Sequence, residues 1–144
     1  MCIIAYGPAC ARNKAEGTVS LPNGAVITFT NIGDKALSVG EGSELTVQDS
    51  HVLGASIAMA AKDRSTAIAE RLRVDAVENF VFASYIKKPE FGAATLRASE
   101  LRWAGEGAAR HLAQTGCTIV VDGVAVPPRD LDVEQLYRDR VLGK

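Results

Sequence analysis

Between Gly92 and Thr115 the chain reads GAATLRASELRWAGEGAARHLAQT, a stretch without proline in which small or apolar residues recur every three or four positions. Ala94, Ala98, Leu101, Gly105, Ala108 and Leu112 fall on one stripe of a helix at 3.6 residues per turn. The spacing predicts one long helix, roughly 36 Å at 1.5 Å per residue, that stops at Gly116. Arg97–Glu100, Arg102–Glu106 and Glu106–Arg110 are spaced to pair across a turn on the opposite side. Gly105 and Gly107 each cost about 1 kcal/mol against alanine inside a helix, which implies a close backbone contact on that stripe. The contact is either the protein's own sheet or a second copy, so a homo-oligomer, with a dimer first, is expected.

Upstream the period is two. Thr18–Ser20 and Ala25–Thr30 flank the turn residues Pro22-Asn23-Gly24. Further turns at Asn31–Asp34 and Gly40–Ser43 separate segments in which Leu37, Val39, Leu45 and Val47 alternate with polar neighbours. Residues 17–48 therefore predict an antiparallel meander with one half-buried face. Leu53, Ile57, Ala60 or Ala61, Ile68 and Leu72 then return to helical spacing, which predicts a helix over about 50–74. Asn79–Lys87, aromatic and β-branched, predicts a central strand, and Thr118–Val126 a hairpin about Asp122-Gly123. A last helix starts at Asp132, with Gln135 completing the capping box, Leu131 and Leu136 at the staple positions, and Leu136, Tyr137 and Val141 on its buried face. With no internal repeat in view, the expectation is one α+β domain over residues 1–144. Its mostly antiparallel sheet is packed by one long helix and two others.

Composition narrows function mainly by exclusion. A net charge of −1 gives no electrostatic footprint for nucleic acid or an anionic membrane surface, and neither partner is expected. No apolar run approaches the ~20 residues of a membrane span, and the first residues lack the form of a signal peptide. Three cysteines, an odd number without CxxC spacing, and two histidines make no zinc signature. They suit reduced thiols in the cytoplasm, and neither metal nor cofactor is expected.

The opening MCIIAYGPA resembles the start of class II glutamine amidotransferases, which also begin Met-Cys. That resemblance implies an N-terminal cysteine nucleophile at Cys2. It covers a handful of residues, Ile3-Ile4 stands where small turn residues belong, and nothing downstream completes it. Cys2 is read here as a small apolar residue that opens a strand. His111 or His51 with a cysteine has no flanking motif, and no catalytic residue is assigned. Gly105-Glu106-Gly107 lacks the rest of a dinucleotide fingerprint, since Arg110 fills its last position. The polar set that remains is basic and aromatic. Phe82, Tyr85, Lys87 and Lys88 lie on or end the expected central strand, and Arg97, Trp103 and Arg110 lie on the long helix. Arg97, Trp103, Arg110, Phe82 and Tyr85 together suit an anionic planar ligand such as a nucleotide, through bidentate contacts and stacking. The expectation is a binding or assembly protein, with a binder or enzyme acting on an anionic small molecule as its alternative.

Overall fold

The computed structural model describes residues 2–4, 12–14 and 28–143. The expected hairpin at 18–30 lies largely outside them. Cys2 opens a strand, β1 (Cys2–Ile4), which pairs antiparallel with β2 (Arg12–Lys14). From there the molecule is a parallel β-solenoid, not an α+β fold with an antiparallel sheet.

The strands alternate between two sheets. β3 (Thr28–Val39), β5 (His51–Lys62), β7 (Arg73–Tyr85), β9 (Arg102–Trp103) and β10 (His111–Ala113) form the long-strand sheet, in which every pairing is parallel. β4 (Glu44–Gln48), β6 (Thr66–Glu70), β8 (Thr95–Ser99) and β11 (Thr118–Val121) form the short-strand sheet, also parallel. Thr28, His51, Arg73 and Arg102 stand in one column, so successive turns of the coil take 23, 22 and 29 residues. A repeat is therefore present after all. Asn79–Tyr85 does lie in a central strand, between β5 and β10.

The long helix expected over 92–115 is β8, a corner, β9, a loop and β10. Its stripe skipped Leu96, which is wholly buried, because in a strand Ala94, Leu96 and Ala98 share the inward face at period two. Glu100 has φ of 55°, which ends any helix there. The helix expected over 50–74 is β5, a corner and β6. Ala55–Ala61 is buried without a break, since this part of β5 is covered on both faces. Such a strand reads as a continuous apolar run, and its alanines mimic helix propensity.

The interior lies between the sheets. Leu45–Ala67–Leu96–Ile119 and Phe29–Val52–Val74–Trp103 are in-register columns pointing into it. One corner is built alike in successive coils: Asp49, Arg71 and Glu100 have φ of 49°, 53° and 55°. Each corner's amides reach the next coil, as in Asp49 N–H to the Glu70 carbonyl (3.1 Å) and Arg71 N–H to the Ser99 carbonyl (3.0 Å). The expected Asp-Gly hairpin is present, joining β11 antiparallel to β12 (Val124–Ala125).

The final helix, α1 (Val133–Arg138), starts as expected: the Asp132 carboxylate accepts the Gln135 amide proton at 2.9 Å. With Leu131 and Leu142 it straps the outer face of the long-strand sheet. Leu136 and Tyr137 pack there on Ile57, Ala60, Ala83, Tyr85 and Leu112. No helix among the described residues is long and apolar enough to cross a membrane.

Candidate functional site

The long strands are not regular. Asn31 (φ 53°) and Gly54 (φ 102°) occupy equivalent places in successive coils. The register shifts once between β3 and β5 and three times between β5 and β7. Bulges bend a strand and break its ladder locally. The turn residues at Asn31–Asp34 thus mark a bulge within β3, not a chain reversal.

At these bends the surface hollows into two clefts. One, of about 390 Å³, runs from Asn31 and Gly33 past Gly54 to Ala76, Val77 and Glu78. The other, of about 650 Å³, continues from Asp75, Ala76 and Val77 to Trp103, Glu106 and Arg110. Ala76 and Val77 line both, so the two clefts adjoin, and together they form a groove that spans four coils along the solenoid axis. The strap comes to its side, where the Asn79 side-chain amide donates to the Val141 carbonyl (3.3 Å) and to Ser56 Oγ (2.9 Å).

The wide end is built by residues 104–110, which fold over the last interior column. Trp103 packs partly on the core, and its indole Nε1 donates to the Gly107 carbonyl at 2.9 Å. A Cβ on Gly105 would stand 2.1 Å from the Trp103 ring, so only glycine fits beside it. That close approach is the reason for a glycine here, and it is local. Arg110 Nη2 donates to the Glu78 carbonyl at 2.8 Å, which ties the loop back across the groove.

Asp75 sits on the wall. Arg73 donates to it through Nε and Nη2 (3.2 and 3.0 Å), and His51 Nε2 contacts its other oxygen. The Arg73 guanidinium, and then His51, hold this carboxyl below its ordinary range, so it stays ionised.

Of the five expected ligand-binding residues, only Trp103 and Arg110 meet in the groove. Arg97 lies exposed on the short-strand sheet, in register with Ile68 and Val120. Phe82 and Tyr85 are wholly buried and touch no ligand site. Phe82 stacks on His111 (centroids 5.2 Å, planes 14° apart), and Tyr85 hydrogen-bonds the Tyr137 hydroxyl at 2.7 Å under the strap. Lys87 lies over the Tyr137 ring and Lys88 pairs with Glu41. Cys117 is buried; its thiol is pushed up by burial and accepts the Ala94 amide, which makes it a poor nucleophile.

Asp75, Glu78, Glu106 and Asn31 are the groove residues the sequence argument passed over. Asn31 alone carried a signal, as an asparagine suited to the left-handed region. Among the described residues no group of three His, Cys, Asp or Glu side chains is placed to hold a metal ion. Comparison with family models, curated proteins and solved structures finds no match to this chain.

Proposed function

We propose that this protein is a binding module rather than an enzyme, and that it holds a small polar ligand in the axial groove. One observation carries the reading. Two clefts merge into a single groove where the long strands bulge, and Trp103 and Arg110 meet at its wide end. A concave hollow in which a few polar groups converge beside an aromatic ring is a usual form of a small-molecule site. Catalysis is the weaker reading. Among the described residues the His51–Asp75 pair hydrogen-bonds to Arg73 but to no hydroxyl or thiol that it would activate.

The test is fluorescence. Trp103 is the only tryptophan, so its emission reports on the groove. A panel of nucleotides, amino acids and sugars is expected to contain a ligand that shifts this emission and moves the amide resonances of residues 75–78 and 104–110. Binding that moves only resonances elsewhere contradicts the reading.

The free, buried thiol of Cys117 suits a reducing compartment, and we place the protein in the cytoplasm on that ground. Homodimerisation is a separate proposal. The helical stripe offered for it does not exist; among the described residues Leu53 and Val124 are the exposed large hydrophobic side chains, and Val124, on the edge strand β12, is the more exposed. Light scattering of the protein and of Val124→Lys tests it: a dimer that the substitution dissociates supports it, and a monomer at high concentration refutes it.

A further inference from the structure

Resting on that reading, the groove's own chemistry narrows the ligand. We infer that it takes a short, linear, uncharged oligosaccharide lying along the solenoid axis, with its end unit against Trp103.

Three observations lead there. The first is shape. The groove crosses four coils, and adjacent strands lie about 4.8 Å apart, so it offers sites repeating roughly every 4.8 Å over about 14 Å. A saccharide unit in an extended chain advances by about that spacing. Gly33, Gly54, Ala55, Ala76 and Ala104, residues with little or no side chain, line the groove together with the larger Ile32 and Val77, which leaves room for a ring to lie against the backbone.

The second is charge. Asp75, Glu78 and Glu106 line the groove against a single cation, Arg110. Arg73 and His51 already hold Asp75, whereas Glu78 and Glu106 are exposed and their carboxylates meet no partner among the described residues. A polyanion would meet two carboxylates for each guanidinium. A neutral polyol uses both kinds, since carboxylates accept from hydroxyls and Arg110 donates to them. This departs from the anionic ligand expected from sequence, which counted the arginines without the acids folded beside them.

The third is the combination at the wide end. An indole held in place by Gly105 and by its own bond to Gly107 offers an apolar wall beside polar groups. Sugars have apolar C–H faces and polar rims, and a fixed aromatic ring matches the first while its polar surroundings match the second. An extended peptide fits less well. The groove runs across the strands, so a peptide along it cannot continue either sheet's hydrogen-bond ladder.

The experiment titrates the full chain with α-1,4- and β-1,4-linked glucose oligomers from disaccharide to hexasaccharide, followed by Trp103 emission and by calorimetry. Affinity is expected to rise with each added unit up to about four and then level off. Trp103→Ala is expected to weaken the longest oligomer at least tenfold. Asn31→Ala, at the far end, should weaken the longer oligomers and leave the disaccharide unchanged. Amide spectra of each variant that match the wild type outside the groove establish that it is folded. Tighter binding of a lysine-rich peptide, of a polyanion or of a nucleotide at Trp103 overturns the oligosaccharide while leaving the groove as the site. No response at Trp103 to any of these probes overturns both the ligand class and the site.

Discussion

The two sheets of this coil are made by the same turns of the chain, yet they differ in kind. Between β4, β6, β8 and β11 the register never slips, while β3, β5 and β7 slip against one another. β4, β6 and β8 end in matching left-handed corners, and the sheet sends Leu45, Ala67, Leu96 and Ile119 inward in one column. The long strands spend residues on bulges, and the hollow those bulges leave is where Trp103, Arg110 and the acids gather. Regular stacking stabilises the coil through continuous burial; irregular stacking shapes a surface. In this solenoid the hollows form where the strands depart from the repeat.

The sharpest way to break the comparison is in the regular sheet. Leu96→Ala removes a wholly buried side chain from the middle of its column and is expected to cost about 2–5 kcal/mol in chemical denaturation. The helical reading left Leu96 off its buried stripe, so a change well under 1 kcal/mol would favour that reading.

Gly105→Ala probes the irregular side. The new methyl collides with the Trp103 ring, and either the ring or loop 104–110 must move. We expect a loss of about 1–3 kcal/mol, a shifted Trp103 emission and loss of groove binding, with the fold retained. Unchanged emission would show that the ring is not held as described.

A smaller effect is expected at His111, whose ring stacks on Phe82 with a buried Nδ1 that has no partner among the described residues. Burial lowers its pKa below the ordinary 6.5, so the unfolded chain takes up a proton before the folded one does. The stability it contributes is whole above about pH 6.5 and is lost as pH falls through the folded pKa. His111→Phe, which keeps the stack and removes the titration, should flatten this part of the stability–pH curve. Curves of equal slope for the two proteins would contradict it.

The smallest effect is at a corner. Arg71 reaches Asp49 through Nε and Nη2 (2.6 and 3.1 Å), but both side chains are exposed. Solvent screens such pairs, so Arg71→Ala should leave the denaturation midpoint unmoved at ordinary salt. A clear loss would mean that the corner charges hold the coils together.

What the sequence made legible is local. The Asp122-Gly123 turn, the Asp132 cap and the central placement of 79–85 each rest on a few neighbouring residues, and each is found. The helices failed because a strand covered on both faces loses its alternation. The run ASIAMAA at 55–61, and the chance spacing of Ala94, Ala98 and Leu101, then imitate a helix. The repeat was present but disguised. ELTVQDSHV, TAIAERLRV, TLRASELRW and TIVVDGVAV share apolar second and fourth positions before a corner, and TVSLPNGAV at 18–26 carries the same pattern in sequence. Unequal spacing, 22, 29 and 23 residues between the four starts, hides them from a fixed-period search. Of the site, Trp103 and Arg110 were legible as residue types. Their meeting with Asp75, Glu78 and Asn31 depends on coil register, which no local pattern encodes.

The central claim is parallel, in-register stacking of the coils, and side-chain NMR contacts test it directly. The account predicts strong contacts from the Leu96 methyls to Ala67 on one side and to Ile119 on the other, across 29 and 23 residues of sequence. Their absence, with contacts of Ala94 to Ala98 and of Ala108 to Leu112 in their place, would restore the long helix and contradict the solenoid.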